Sequence, residues 1–201
     1  MSRTFVILIV VLLLIGGLLL LVGGWFVATR NSFVRMDEGV NASWSQVQNQ
    51  YQRRMDLIPN LVNTVKGVAN FEKETYTAVA EARAKAGQTV ISAQDARNPA
   101  KFAQFEQAQG QLSSALSRLL VAVEKYPELK ANQNFTQLQD ELAGTENRIA
   151  VERKRFNEVV QGYNTKIRLF PASLVAGMTG FSARPYFQAQ AGADQAPKVQ
   201  F

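Results

Sequence analysis

The chain has neither cysteine nor histidine among its 201 residues. Without a thiol it forms no disulfide and no thiolate metal site, and it carries no mark of a redox compartment. Without an imidazole, histidine acid–base catalysis, most zinc sites and the Glu-x-x-His ligand pairs of di-iron bundles are excluded by composition alone. Other signatures are missing as well: no glycine loop shaped to cradle phosphate, no nucleophile elbow, no carboxylate cluster at metal-ligand spacing. No segment alternates apolar and polar residues with a period of two, so a sheet is not expected. Composition therefore points away from an enzyme, a bound cofactor or a small-molecule substrate.

What is present begins with one apolar run. From Phe5 to Ala28 no residue is charged, and at 1.5 Å per residue this amounts to roughly 36 Å of helix, enough to cross a hydrocarbon core of about 30 Å with modest tilt. A secretory signal peptide has a shorter apolar region that ends in a small-x-small cleavage site. This run is longer and leaves through Trp25-Phe26-Val27-Ala28-Thr29-Arg30, with two aromatics where an interfacial belt belongs. It reads as a single-pass anchor in which residues 5–28 engage the lipid bilayer. Gly16-Gly17 and Gly23-Gly24 recur seven apart on nearly one face, a spacing that lets two spans pack closely and is also ordinary membrane-helix composition.

Residues 30–201 have the length of one domain that can bury its own core. The expected partition is an anchor over 1–29, a helical bundle over 30–187, and a tail over 188–201 whose Ala, Gln, Gly and Pro content predicts mobility. The chain carries 22 Lys and Arg against 16 Asp and Glu, a net charge of +6. Apart from Arg53-Arg54 and Arg153-Lys154-Arg155 the basic residues are dispersed. Such short clusters on helices of mixed charge are solvated faces; nucleic acid would want a continuous basic stripe with interleaved aromatics, and is not an expected partner. Weak attraction to an anionic leaflet suits the excess better, because the anchor holds the domain within reach of it.

Beyond Arg30, apolar residues recur in steps of three and four at Val40, Trp44, Val47, Tyr51, Met55, Ile58, Leu61 and Val65, and the phase is extended through Ala69 and Glu72 to Val79 and Ala82. This predicts one helix over 31–86. Pro59 interrupts its hydrogen bonding, because it cannot donate to the carbonyl of Met55; either Asp56 or a neighbouring helix compensates, or the helix restarts at Pro59 with Asp56 in its N-cap region. Residues 87–99 carry Gly and Asn-Pro and read as a loop. A second seam, Phe102, Phe105, Gln109, Leu112, Leu116, Leu119, Val123, Tyr126, predicts a helix over 99–126 that Pro127 ends. A third, from Phe135 through Leu138, Leu142, Thr145, Ile149, Glu152, Phe156, Val159, Tyr163 and Ile167, predicts a helix over 133–169, capped by Asn132 or Asn134 and ended by Pro171. A short helix over 172–180 follows. The fold class is all-α: an N-terminal transmembrane helix, then an antiparallel up-and-down bundle.

Glu152 falls on an apolar seam, with Arg148 one turn before it. A buried carboxylate needs a partner, and Arg148 is placed to supply one. A polar site in the bundle core is the functional reading. A register-fixing ion pair, or a seam phased so that Glu152 reaches water, is the structural one and outweighs it.

Four stretches taken together resemble the LemA family of bacterial membrane proteins: Gln52-Arg53-Arg54-Met55-Asp56-Leu57-Ile58-Pro59-Asn60-Leu61-Val62-Asn63-Thr64-Val65-Lys66-Gly67; Glu124-Lys125-Tyr126-Pro127-Glu128-Leu129-Lys130-Ala131-Asn132 with Phe135; Thr145-Glu146-Asn147-Arg148-Ile149-Ala150; and Gly162-Tyr163-Asn164 leading to Phe170-Pro171. Val68 is a departure, since an aromatic is usual after Lys66-Gly67. The resemblance implies one N-terminal transmembrane helix followed by an up-and-down bundle, with no catalytic residue to carry over. It singles out Arg54, Asp56, Pro59, Asn60, Tyr126, Pro127, Glu146, Asn147, Arg148, Tyr163, Asn164 and Pro171, and with Glu152 these are the candidate structural or interaction positions. Asp56 beside Arg53 and Arg54 is expected to serve the groups Pro59 frees, Tyr126-Pro127 and Phe170-Pro171 to plug bundle ends, and Glu146, Asn147 and Arg148 to cross-link helices.

The functional expectation is a membrane-anchored, non-enzymatic scaffold that binds protein partners through exposed helix faces, with self-assembly that organises or remodels the bilayer as the alternative. Arg3 precedes the span while Arg30 and Arg35 follow it, so the expected location is the inner cell membrane with the bulk of the chain cytoplasmic and a short N-terminus outside.

Overall fold

A computed structural model describes residues 3–68 and 71–188; of the expected tail, everything past Gln188 lies outside the described residues. The described residues form helices joined by short connections, without strands: α1 is Arg3–Lys66, α2 Lys73–Gln88, α3 Pro99–Val123, α4 Pro127–Lys130, α5 Gln133–Arg168 and α6 Ala172–Thr179, with a 3₁₀ turn at Asp95–Arg97 between α2 and α3. They group into two compact units to which α1 and α5 both contribute, one of residues 1–40 with 161–183, the other of 41–160 with 184 onward.

The second unit is the bundle. Its core is the expected set of seams: Trp44, Val47, Ile58, Leu61 and Val65 of α1, Phe102, Phe105, Leu112 and Leu119 of α3, and Phe135, Leu142 and Phe156 of α5 are all buried. The α5 seam passes through Val160 rather than Val159, which is exposed, because a 3.6-residue period drifts against a fixed three-four alternation. Asn98 caps α3, its Oδ1 accepting from the backbone N–H groups of Ala100 and Lys101 at 2.9 and 3.2 Å, with Pro99 at the first helical position, where its missing donor costs nothing. Asn132 Oδ1 accepts from Phe135 N–H at 3.2 Å at the start of α5.

The expected helix over 31–86 is corrected to two. Pro59 lies inside α1, and the break comes at Gly67, whose N–H is shared between the carbonyls of Asn63 and Thr64, both at 3.3 Å. Glycine is a poor helix former, and this shared bond tightens and closes the last turn. The extension of the seam to Glu72 fails for the same reason: Glu72 is exposed and pairs with Lys125 at 3.2 Å. After the break α2 folds back, and Arg83 Nε donates to the carbonyl of Met55 at 2.9 Å. That carbonyl is the acceptor Pro59 leaves unfilled, so a neighbouring helix compensates and Asp56 does not. Tyr126 packs against Phe71 with ring centroids 4.7 Å apart, and Pro127 opens the single turn of α4, which ends the expected 99–126 helix at Val123.

The first unit holds the apolar run. It is the one helix among the described residues long and apolar enough to cross a membrane, and none of that window is buried within the protein. Behind the run Thr29, Phe33, Asp37 and Val40 are buried, as are Tyr163, Asn164 and Ile167 of α5. Gly180, at φ 77°, ends α6 in the left-handed conformation that glycine adopts without strain. The following N–H, that of Phe181, then bonds the carbonyl of Ala176 at 3.1 Å, and the Phe181 ring packs on Phe33 at 5.4 Å.

Candidate functional site

A cleft of about 740 Å³ opens between α1, α3 and α5 over Arg54. Arg54 is 1% exposed. It lies one turn from Tyr51 and Ile58 on the core face of α1, where an apolar residue would ordinarily stand. Its Nη1 donates to Ser113 Oγ and Glu146 Oε1, both at 2.9 Å, and its Nη2 to Gln109 Oε1. The guanidinium also lies 5.0 Å from the centroid of the Tyr51 ring. A planar fork with several donors meets three acceptors on two helices at once, which lysine cannot do. One donor, Arg54 Nε, is buried without a hydrogen-bond partner among the described residues.

The far wall is built by Arg153 and Glu106. Arg153 Nη2 lies 3.5 Å from Glu106 Oε1 and donates to the carbonyl of Gln188 at 2.8 Å, and its guanidinium stacks 4.7 Å from the Phe187 ring. Glu106 Oε1 also accepts from the backbone N–H of Gln188 at 3.0 Å. The segment 184–188 is thereby a strap along the bundle. Asn157 clamps it by donating to the Phe187 carbonyl at 3.1 Å and accepting from the Phe187 N–H at 2.9 Å. Arg184, 5% exposed, donates to Asn41 Oδ1 at 3.0 Å. The Phe187 ring completes a cluster with Trp44, Phe102 and Phe156, at centroid distances of 5.9, 4.8 and 5.4 Å.

Electrostatics follow from this burial. Tyr51 is pushed above its ordinary range by loss of water, against the pull of the Arg153 and Arg54 charges. Glu106 is likewise raised by desolvation, opposed by the Gln188 N–H and Arg153. Tyr51 therefore stays a neutral phenol at physiological pH. Among the described residues no nucleophile is hydrogen-bonded to a base here, and the arginine at the centre is spent on protein acceptors. Among the described residues no three His, Cys, Asp or Glu stand together as a metal would need. The open rim presents Arg118, Gln107, Gln111 and Ser114, a hydrogen-bonding surface with one exposed cation.

Of the positions singled out from sequence, the cleft unites Arg54 and Glu146. Asp56 is exposed and accepts from Gln52 Nε2 at 2.8 Å, not from Arg53 or Arg54; Arg53 faces Glu141 at 3.8 Å. The Arg148–Glu152 pair is corrected. Arg148 donates to Thr145 Oγ1 at 2.9 Å and Gln50 Oε1 at 3.3 Å, while Glu152 accepts from Arg155 Nη1 at 2.8 Å. Helical side chains lean toward the N-terminus, so Arg148 reaches back to Thr145 rather than forward. Asn147 and Asn60 are exposed, the latter's carbonyl accepting from Thr64 Oγ1 at 2.9 Å. Tyr163, Asn164 and Pro171 belong to the other unit, where the Tyr163 hydroxyl donates to the Ser182 carbonyl at 3.0 Å and Pro171 caps α6. Phe170 is 81% exposed and plugs nothing. Gln109 had a readable signal, an amide on an apolar seam; Ser113, Glu106 and Arg153 had none, because their partners are distant in sequence.

A family model for the LemA family matches residues 43–201. Magnetosome protein MamQ 2 of Paramagnetospirillum magneticum is 27% identical over 189 residues, 84% of this chain and 70% of that protein. Magnetosome protein MamQ of Magnetospirillum gryphiswaldense is 27% identical over 180 residues, 82% of this chain and 66% of that protein. Protein LemA of Metamycoplasma hominis is 24% identical over 151 residues, covering 75% of this chain and 65% of its own length.

Proposed function

Because the chain belongs to the LemA family, we propose that it is a membrane-anchored, non-enzymatic scaffold that docks protein partners in the cleft over Arg54. The observation that carries this reading is the division of labour in that cleft. Arg54 bonds Glu146, Gln109 and Ser113 at its floor, while the rim amides and Arg118 are left facing solvent. The floor fixes shape, and the rim offers hydrogen bonds to an extended peptide or a helix face. The anchor reading is favoured by the uninterrupted course of α1 from the apolar run into residues buried in the fold. A photo-crosslinking residue placed at Gln111 in the full chain, in cells, tests the proposal. Discrete adducts that vanish when the crosslinker is moved to Val121 agree with it; ladders of self-adducts from both positions contradict it.

Such ladders are the mark of the second reading, self-assembly that organises the bilayer. One observation favours it: Gly16-Gly17 and Gly23-Gly24 recur seven apart on nearly one face of the run, the kind of small-residue surface on which another span packs closely. On either reading we assign the bulk of the chain to the cytoplasm, which the positions of Arg30 and Arg35 behind the span against Arg3 before it support.

A further inference from the structure

Between Arg168 and Arg184 the chain has no charged residue. Within this stretch α6 buries Ala172, Val175 and Ala176. On its other face Leu174 and Met178, one turn apart, are 59% and 78% exposed, and in the turn just before the helix Leu169 and Phe170 are 55% and 81% exposed. Four large exposed apolar side chains within ten residues, two in the turn and two on the helix that follows it, are of the kind that soluble surfaces avoid and interfaces use.

Its position says what covers it. A Cβ on Gly162 of α5 would lie 3.9 Å from Met36 Cε of α1. The two helices are antiparallel, so the end of α5, about two turns past Gly162, comes level with a point about two turns before Met36. That point is Thr29, the residue following the apolar run. From there α6 returns until Phe181 reaches Phe33. The exposed Arg30, Arg35, Lys166 and Arg168 belong to the same unit, against an exposed Glu38 and a buried Asp37. Apolar side chains at the exit of a span, with cations around them, match the boundary between acyl chains and phosphate headgroups.

We propose that residues 169–178 form a second membrane contact, in which Phe170, Leu174 and Met178 enter the headgroup–acyl boundary of the leaflet from which the span emerges, while Arg30, Arg35, Lys166 and Arg168 meet lipid phosphates. This rests on the anchor reading. The occupant is lipid rather than a second protein because the stripe lies level with the end of the span. Immersion is graded, deepest at Phe170 and shallowest at Met178.

The absence of cysteine makes the test direct. Full-length Leu20→Cys, Phe170→Cys, Leu174→Cys and Val121→Cys variants carry an environment-sensitive fluorophore in vesicles of phosphatidylcholine and phosphatidylglycerol, after thermal melting has matched each to the parent. Fluorophores at 170 and 174 are expected to be quenched several-fold more than at 121 by lipids bearing a nitroxide high on the acyl chain, and to be shielded from aqueous iodide; at 20 the deep nitroxide quenches best. If the fluorophore at 20 is not quenched by lipid, the anchor reading fails and takes this inference with it. If 20 is quenched but 170 and 174 respond to iodide as 121 does, the anchor stands and the second contact is overturned. Shielding at 170 and 174 from both quenchers means that a second copy covers the stripe, which also overturns it.

Discussion

At the scale of single residues, Arg54 decides most. A guanidinium out of water is tolerable only while its acceptors hold, and removing one partner of such a pair costs about 3–5 kcal/mol, whereas the net worth of the intact pair is small. Glu146→Leu is therefore expected to destabilise the bundle by about 3 kcal/mol, and Glu146→Gln, which keeps an acceptor oxygen, by about 1 kcal/mol. Arg54→Lys should match the leucine variant, because an ammonium cannot reach Ser113, Gln109 and Glu146 together. Chemical denaturation of the detergent-solubilised variants checks the order, and equal losses in the two Glu146 variants would mean that charge rather than hydrogen bonding holds the site. Glu106 carries a pH signature. Its carboxyl titrates higher folded than unfolded because burial disfavours the anion, so the native state binds the extra proton, and stability falls as pH rises from the unfolded value, ~4.3, through the folded one. The deficit then persists at neutral pH. Glu72 and Asp95, exposed and held low by hydrogen bonds from Lys125 and Lys101, contribute the opposite leg, present above the carboxylate range and lost on acidification. Glu106→Gln keeps an acceptor for the Gln188 N–H, and is expected to melt no lower than the parent at neutral pH and to lack the parent's falling leg. A variant that melts lower at neutral pH alone would show that the Arg153 pairing outweighs desolvation.

At the scale of elements, the turnback after α1 shows how far a sequence can be read. The helical seams were legible because apolar spacing reports burial directly, and so was the N-cap at Asn132. The break was not, although Gly67 is a poor helix former, because the apolar phase continues on both sides of it. What the return of α2 accomplishes could not be read at all, since nothing local links Arg83 to a carbonyl made idle by Pro59. The strap over 184–188 was hidden for the same reason; its clamp pairs Asn157 with Phe187, and a Pro- and Gln-containing stretch without periodicity gives no hint of it. The link between Arg83 and Pro59 is testable as a pair. A hydrogen bond from a charged donor to a carbonyl that would otherwise be orphaned is worth about 1.5–3 kcal/mol. Arg83→Ala should lose about that much in the parent but less when Pro59→Ala restores a backbone donor for Met55. Thermal or denaturant unfolding of the four members of this cycle should give a coupling of about 1 kcal/mol. Additive losses would mean that Arg83 acts through packing on Met55 and not through its carbonyl.

For the whole molecule the open choice is which side of the membrane the bundle occupies, and few charges govern it. Orientation responds to Lys and Arg close to the span, while Asp37 and Glu38 contribute little. Arg3 stands on one side, and Arg30 and Arg35 on the other. A margin this narrow makes the orientation adjustable, which gives the argument its test. Protease added to intact spheroplasts is expected to leave the bundle whole and to cut it only after detergent, because the bundle lies behind the more basic flank. If flanking charge is the cause, Arg30→Gln with Arg35→Gln, combined with Ser2→Lys and Thr4→Lys, should bring the bundle within reach of external protease. Both substituted arginines are exposed, so the exchange changes insertion without removing core contacts. Digestion of the parent from outside would place the bundle on the opposite face and overturn the cytoplasmic assignment. Protection of both parent and charge-swapped chains would show that some feature other than the three arginines near the span fixes its direction.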